Sequence, residues 1–431
     1  MAVRSRLAVK RWSRRGLFLV GGVIVGVAAV LMAWLADHAQ ALFARLLGAH
    51  PWVAFAVTPL GFAAAVFVAR RFFPNSQGSG IPQAIAALQI DDQARRGPLV
   101  SLRVAFGKIV VMTFGLLCGA SAGREGPTVQ VGAAIMYAIG GYAPYRRAGF
   151  LLAGAAAGVA AAFNTPLAGI VFGIEEMSRS FEARTSGLIV GAVIAAGLTA
   201  IALVGDYAYF GATNAGLPFG RAWIAVVLCA VLGGFAGGVF IRISAAIAAG
   251  LPGGLGRAIK RRPVLFAAAC GLVVAVCGLV SGNASIYGTG YEYARALVHG
   301  AAAPDPWFAP LKFLATIASA VSGIPGGVFS PSLSVGAGLA GALAPAFPDL
   351  PVGAFVLIGM VSYLAGVVQA PITSFVIVSE MTGDHAMVIP LMAAALIADQ
   401  VSKMLSRHGL YHTLAEQFLV PRPKDAAPSA P

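Results

Sequence analysis

Charge is scarce in this 431-residue chain: 11% of its residues are charged and 58% are hydrophobic. Soluble domains carry roughly 25% charged and about 45–50% apolar residues, so the composition excludes a water-soluble globule and reads as a membrane protein. Long hydrophilic stretches are also missing, which excludes a second, soluble domain. The ~10-residue alternation of barrel strands is absent too. Helix is then the remaining way to satisfy backbone polar groups in lipid. Cysteine is rare: Cys118, Cys229, Cys270 and Cys277 are scattered inside apolar runs. They have no metal-ligand spacing and read as small core residues, so neither a metal nor another cofactor is expected. Acids are outnumbered, 16 against 30 Lys and Arg, giving a net charge of +14. That excess needs no nucleic acid. Clusters such as Arg70–Arg71, Arg95–Arg96, Arg146–Arg147 and Lys260–Arg262 suit loops beside the anionic lipids of an inner leaflet.

What the chain does have is apolar runs near the ~20 residues of a spanning helix: Gly16–Leu35, Leu188–Val204, Ala222–Phe240, Pro263–Val280 and Gly353–Val368. The fold class is an all-α polytopic membrane protein. Arg4, Arg6, Lys10, Arg11, Arg14 and Arg15 precede the first run, which is too long for a signal-peptide core of roughly 7–15 residues. It reads as a first membrane helix behind a basic cytoplasmic segment, 1–15, in a cell (plasma) membrane. The tail, 416–431, is expected to be short, cytoplasmic and disordered at "PRPKDAAPSAP".

An internal echo runs through the chain. "LLAGAAAGVAAAFNTPLAGIVFGIEEM" and "VLIGMVSYLAGVVQAPITSFVIVSEM" both pass from an apolar Gly-containing segment through a proline to an acid and a methionine. Pro166 and Pro371 are 205 apart, Met177 and Met381 are 204 apart, and so are Pro127 and Pro331. These offsets predict two repeats, 16–215 and 216–415, with a transport site at their shared midplane. The 54 glycines and 25 prolines break many runs. Helices that stop inside a membrane present free N–H groups and a positive dipole end, which is an anion site built without cationic side chains.

Four stretches carry chemistry. In "GREGPTVQVG", Gly123 and Gly126 allow close backbone approach and Pro127 suits a first helical turn, so Glu125 falls at a helix start beside Arg124. A carboxylate at bilayer depth costs about 2.5–3.5 kcal/mol on insertion scales, so it is expected near neutralisation and able to exchange a proton. A structural Arg–Glu pair in a polar loop is the plain alternative. "GSGIP" has the same grammar: Gly78, Ser79 and Gly80 lead into Pro82, and Ser79 either caps a helix or donates its hydroxyl to an anion. "SGIPGGVFSP" repeats the theme, with free amides expected near Val328 and Phe329. Tyr411 in "HGLYHTL" offers a phenol, or else an interface anchor. Glu175 and Glu176 end an apolar run; adjacent helical positions point about 100° apart, so one faces solvent and the other is free to face inward.

As an ordered set, GSGIP, GREGP, "AAAFNTPLAG…EEM", GGVFSP and a late tyrosine resemble the CLC family of chloride channels and proton/chloride exchangers, over about residues 16–415. The resemblance implies a homodimer, each subunit holding its own anion pathway between inverted repeats of tilted, half-spanning helices. It implies that Ser79, Tyr411 and the amides of Val328 and Phe329 hold the anion. Glu125 then matches the gating glutamate, Glu176 the internal proton-transfer glutamate, and Glu175 the residue lining the inner mouth. Glu176 favours exchange of chloride for protons over the alternative, a passive gated chloride channel. Gln83 and Ile85 depart from the acids of many bacterial members, no nucleotide-sensing module follows, and Ser79 points to chloride rather than nitrate or fluoride.

Three other motifs read as decoys. "GASAG" (119–123) fits the nucleophile-elbow pattern, but Ser121 follows an apolar helical run rather than a strand. "GAGLAG" (336–341) and "GAAAG" (154–158) read as small residues for helix packing.

Overall fold

The structure is a computed structural model that describes residues 2–178, 183–205, 207–213, 215–220, 222–301 and 303–420. The tail sequence at 421–431 lies outside the described residues. Helices account for the architecture, and among the described residues the β pairing is a single antiparallel bridge between Gly123 and Gly327. Seven described helices are long and apolar enough to cross a membrane. The expected runs reappear as helices Ala2–Ala49, Ala183–Val204, Ala222–Ala249, Pro263–Ser281 and Val352–Val368. The first is far longer than its apolar core, because nothing between Leu35 and Ala49 breaks a helix. Many large apolar side chains face outward, among them Leu19, Trp34, Leu60, Leu265 and Val280, as they do when the solvent is lipid.

Eight helices follow in one order: Ala2–Ala49, Ala54–Phe72, Ile81–Gln89, Leu102–Leu117, Glu125–Ile139, Arg147–Phe163, Pro166–Phe172 and Ala183–Val204. The same succession of long and short pieces recurs as Ala222–Ala249, Pro263–Ser281, Tyr291–Val298, Phe308–Val321, Phe329–Leu343, Val352–Val368, Pro371–Thr382 and Val388–Leu405. Two short helices without a counterpart in this order, Gln93–Arg96 and Gly253–Arg261, lie between these pieces, and Leu410–Leu419 follows at the end.

Local details recur at the same spacing. Asn164 and Gln369 end equivalent helices in the same left-handed conformation, φ 57° and ψ 39°. The contact at that level is reciprocal. Glu175 accepts from the backbone N–H groups of Ile372 and Thr373 (3.1 and 2.6 Å), while Glu380 accepts from those of Leu167 and Ala168 (3.1 and 2.6 Å). Each carboxylate thus caps the start of the other half's helix, neither of which has a cap from its own N-cap side chain. Such i-to-j and j-to-i contacts are the mark of a twofold relation.

The inner helices are held by close backbone approach. A methyl group at Gly132 would strike the carbonyl of Gly154, and one at Gly336 would strike that of Gly359. Apolar burial gives no drive between helices in lipid, so van der Waals contact at small residues does the joining. "GAAAG" and "GAGLAG" are therefore packing surfaces. Ser121 belongs to a hydroxyl cluster: its Oγ lies 3.2 Å from Thr316 Oγ1 and its N–H donates to Ser319 Oγ at 3.0 Å.

Candidate functional site

Three loops that precede helices are tied to one another at the centre of the molecule. Gly78 N–H donates to Ile324 O (3.2 Å), Gly326 N–H to Gly78 O (3.1 Å), Gly123 N–H to Gly327 O (2.8 Å) and Gly327 N–H to Gly123 O (2.7 Å). Glycine is required here by geometry. Gly78 and Gly80 have φ of 65° and 98°, and a methyl group on Gly126 would collide with Ser79 Oγ and the Cα of Gly327. The knot aims the starts of Ile81–Gln89, Glu125–Ile139 and Phe329–Leu343 at one region, and none of the three has a side-chain N-cap. Free amide N–H groups and positive dipole ends therefore converge. Pro82 and Pro127 sit in first turns, where the missing N–H is harmless.

Ser79 does not cap its helix: the N-cap is Gly80, and the Ser79 hydroxyl has no hydrogen-bond partner despite being buried. The Tyr411 hydroxyl is in the same condition, and the two side chains lie close enough to interact. Tyr411 is held by stacking on Phe329, centroids 5.7 Å apart and planes at 24°. Phe329 in turn meets Phe163 and Phe172 edge-on. Two buried hydroxyls left without protein acceptors cost about 1–3 kcal/mol each unless something accepts from them, and a small anion is such an acceptor.

Glu125 is fully buried at its helix start. One carboxylate oxygen accepts from Ser330 Oγ at 2.6 Å, and the other has no hydrogen-bond partner. The plain expectation of an Arg–Glu pair is replaced by a different pairing: Arg124 Nη1 donates to Asp37 Oδ1 (2.5 Å) and to Ala33 O (3.0 Å). Glu125 thus stands beside a fixed cation without being locked to it. On the Arg124 side is a cavity of about 570 Å³ whose walls include Asp37, Tyr209 and Glu292. On the side of Ser79 and Val328 is another, of about 360 Å³, with Arg70 and Lys260 in its wall and no carboxylate among its described lining residues. Ser79 is in the wall of the second cavity, and Glu125 is among the described lining residues of neither.

Glu176 is 2% exposed, on a π-helical segment, Gly173–Ser178. Such wide turns recur at functional sites. Its neighbour Glu175 points to the other half as a helix cap, whereas Glu176 meets His412, the residue after Tyr411. The structure thus brings Ser79, Glu125, Val328, Phe329 and Tyr411 together around one knot, and sets Glu176 beside the helix that supplies Tyr411.

Sequence reasoning passed over Asp37, Ser330, His412 and a buried lysine pair. Lys108 Nζ donates to Gly78 O (2.8 Å) and Lys312 Nζ to Gly288 O (2.8 Å), each holding the loop ahead of a short helix. The two lysines are 204 apart, the spacing of Pro127 and Pro331, so the repeat itself held the signal.

A model of the voltage gated chloride channel family matches residues 60–403. The chain is 32% identical to the H(+)/Cl(-) exchange transporter ClcA of Klebsiella pneumoniae over 88% of this chain and 81% of that protein. It is also 32% identical to that of Cronobacter sakazakii, over 92% and 88%. Among solved structures, a slow cyanobacterial Cl−/H+ antiporter superposes with a TM-score of 0.78 at 25% identity, covering 94% of this chain and 98% of that one. A CLC-type fluoride/proton antiporter superposes with a TM-score of 0.77 at 21% identity, covering 92% and 96%. With the knot of helix starts, the buried Glu125 carboxylate and these matches together, the chain belongs to the voltage gated chloride channel family.

Proposed function

We propose that this protein is a secondary transporter that exchanges chloride for protons across a cell membrane, with no covalent chemistry and no cofactor. The carrying observation is the pair of buried, unpartnered hydroxyls of Ser79 and Tyr411, set where uncapped helix starts converge, next to a buried carboxylate with one free oxygen. A halide fits the hydroxyls and the amides of Val328 and Phe329. The Glu125 carboxylate competes with it for the same electropositive region and leaves that region when protonated, which links anion movement to proton movement. Glu176, buried on the inner side, hands the proton onward.

The residues 16–215 and 216–415 are the two repeats, the basic amino terminus is cytoplasmic, and the protein works as a homodimer in which each subunit has a complete pathway. The exposed apolar side chains Leu167, Leu198, Ile372, Ile389 and Leu396 supply a surface for the second subunit.

The test is the reversal potential of purified protein in liposomes under opposed chloride and pH gradients. Exchange places it between the chloride and proton equilibrium potentials; a value that follows chloride alone identifies a passive channel. Glu125→Gln should end proton pumping while chloride still moves, and undiminished pumping would remove Glu125 from the gate.

A further inference from the structure

We propose that His412 is the group that delivers protons to Glu176, an inference that rests on the exchange reading above. The Nε2 atom of His412 lies 3.0 Å from the backbone carbonyl oxygen of Glu176 and 3.6 Å from its carboxylate Oε1. A carbonyl oxygen only accepts, so this contact places the ring proton on Nε2, facing both Glu176 oxygens. A shift of less than 1 Å brings Nε2 within hydrogen-bond reach of Oε1.

The neighbouring acid does not compete for this proton. Both Glu175 oxygens accept backbone N–H groups from the other half. Exposure is graded along the pair: the Glu176 side chain is 3% exposed and that of His412 is 11%. His412 also belongs to the helix whose next turn carries exposed Glu416 and Gln417. The imidazole therefore stands between the surface and a carboxylate that water barely reaches.

Its position in the helix suits a donor. His412 is in the first turn of Leu410–Leu419, within reach of both the carbonyl and the carboxylate of Glu176. When the ring has gained a second proton from the cytoplasmic side, the Nε2–H bond breaks, an Oε1–H bond forms, and the ring returns to neutral. His412 also follows Tyr411 directly, so one helical turn carries both the phenol of the anion site and the donor of the proton route. Histidine is the side chain whose ordinary protonation range suits such a shuttle.

The test measures protons and chloride together in liposomes for wild type, His412→Gln and Glu176→Gln. Gln at 412 keeps an N–H for the Glu176 carbonyl but carries no proton, so the protons moved per chloride should fall by about tenfold or more, within what a positioned acid–base group contributes. Chloride flux should remain. His412→Ala should lose coupling likewise and regain it when imidazole is added to the inner solution, a rescue that a purely structural role does not give. Coupling unchanged in His412→Gln, with wild type pumping and Glu176→Gln uncoupled, overturns the His412 assignment alone. A wild type that moves no protons overturns it together with the exchange reading. If His412→Gln fails to fold, lost coupling in His412→Ala without imidazole rescue counts against the proposal.

Discussion

Tyr411 and Ser79 make the sharpest case at the scale of single residues, because their hydroxyls are buried side by side and meet no geometric hydrogen-bond partner among the described residues. Removing such a group leaves no partner stranded in the fold, so Tyr411→Phe should leave thermal stability within about 0.5 kcal/mol of wild type, as for substitutions that break no contact. The same change deprives a bound anion of a charge-assisted hydrogen bond worth about 1.5–3 kcal/mol. Chloride affinity measured by calorimetry should therefore fall by roughly 10- to 150-fold. Unchanged affinity would show that the phenol serves packing on Phe329 instead. Both hydroxyls could be named from the sequence, since GSGIP and the late tyrosine stand out by order. Asp37 and Ser330 could not. Each is an ordinary polar residue whose importance comes from a side chain distant in the chain, Arg124 for one and Glu125 for the other.

Among the secondary-structure elements, the two short helices Pro166–Phe172 and Pro371–Thr382 depend on each other. Their N-cap residues, Thr165 and Ala370, supply no side-chain cap, and the two carboxylates reach across instead. Losing a helix cap costs about 0.5–2 kcal/mol. Glu380→Ala should accordingly lower stability in detergent by about that amount, read from denaturation curves, while chloride affinity stays put. Equal stability would mean that water replaces the carboxylate without loss. The helix starts themselves were legible, because Pro166 and Pro371 follow helix ends and the sequence echo aligns them. The crossed capping was not legible. A glutamate at the end of an apolar run looks like a polar boundary, and only its placement against the other half reveals which amides it serves.

For the whole molecule, the recurring order of eight helices and the reciprocal contacts support the proposed reading of two repeats. The connection between them passes through exposed Pro218, Phe219 and Gly220, a segment whose backbone holds no part of the central knot. Exposed connections of this kind tolerate cleavage. Two fragments divided between Phe219 and Gly220 and produced together should copurify and support chloride flux in liposomes. Fragments that fail to associate would show that the covalent link, not the crossed contacts, holds the halves in register.

The sequence by itself determined the solvent, the class and the grammar of the site. Low charge and long apolar runs leave only helices in lipid, and Gly–Pro punctuation announces where helices begin. It offered a candidate gate as well, through the resemblance carried by GREGP, with a structural Arg–Glu pair left open beside it. Tertiary structure decided the partners: which loop touches which, that Arg124 pairs with Asp37 rather than Glu125, that Glu175 turns to the other half, and that His412 meets Glu176. The reason is physical. Helix propensity and burial act over a few residues and are written locally, whereas a hydrogen bond between residues 87 to 236 positions apart depends on how whole helices pack.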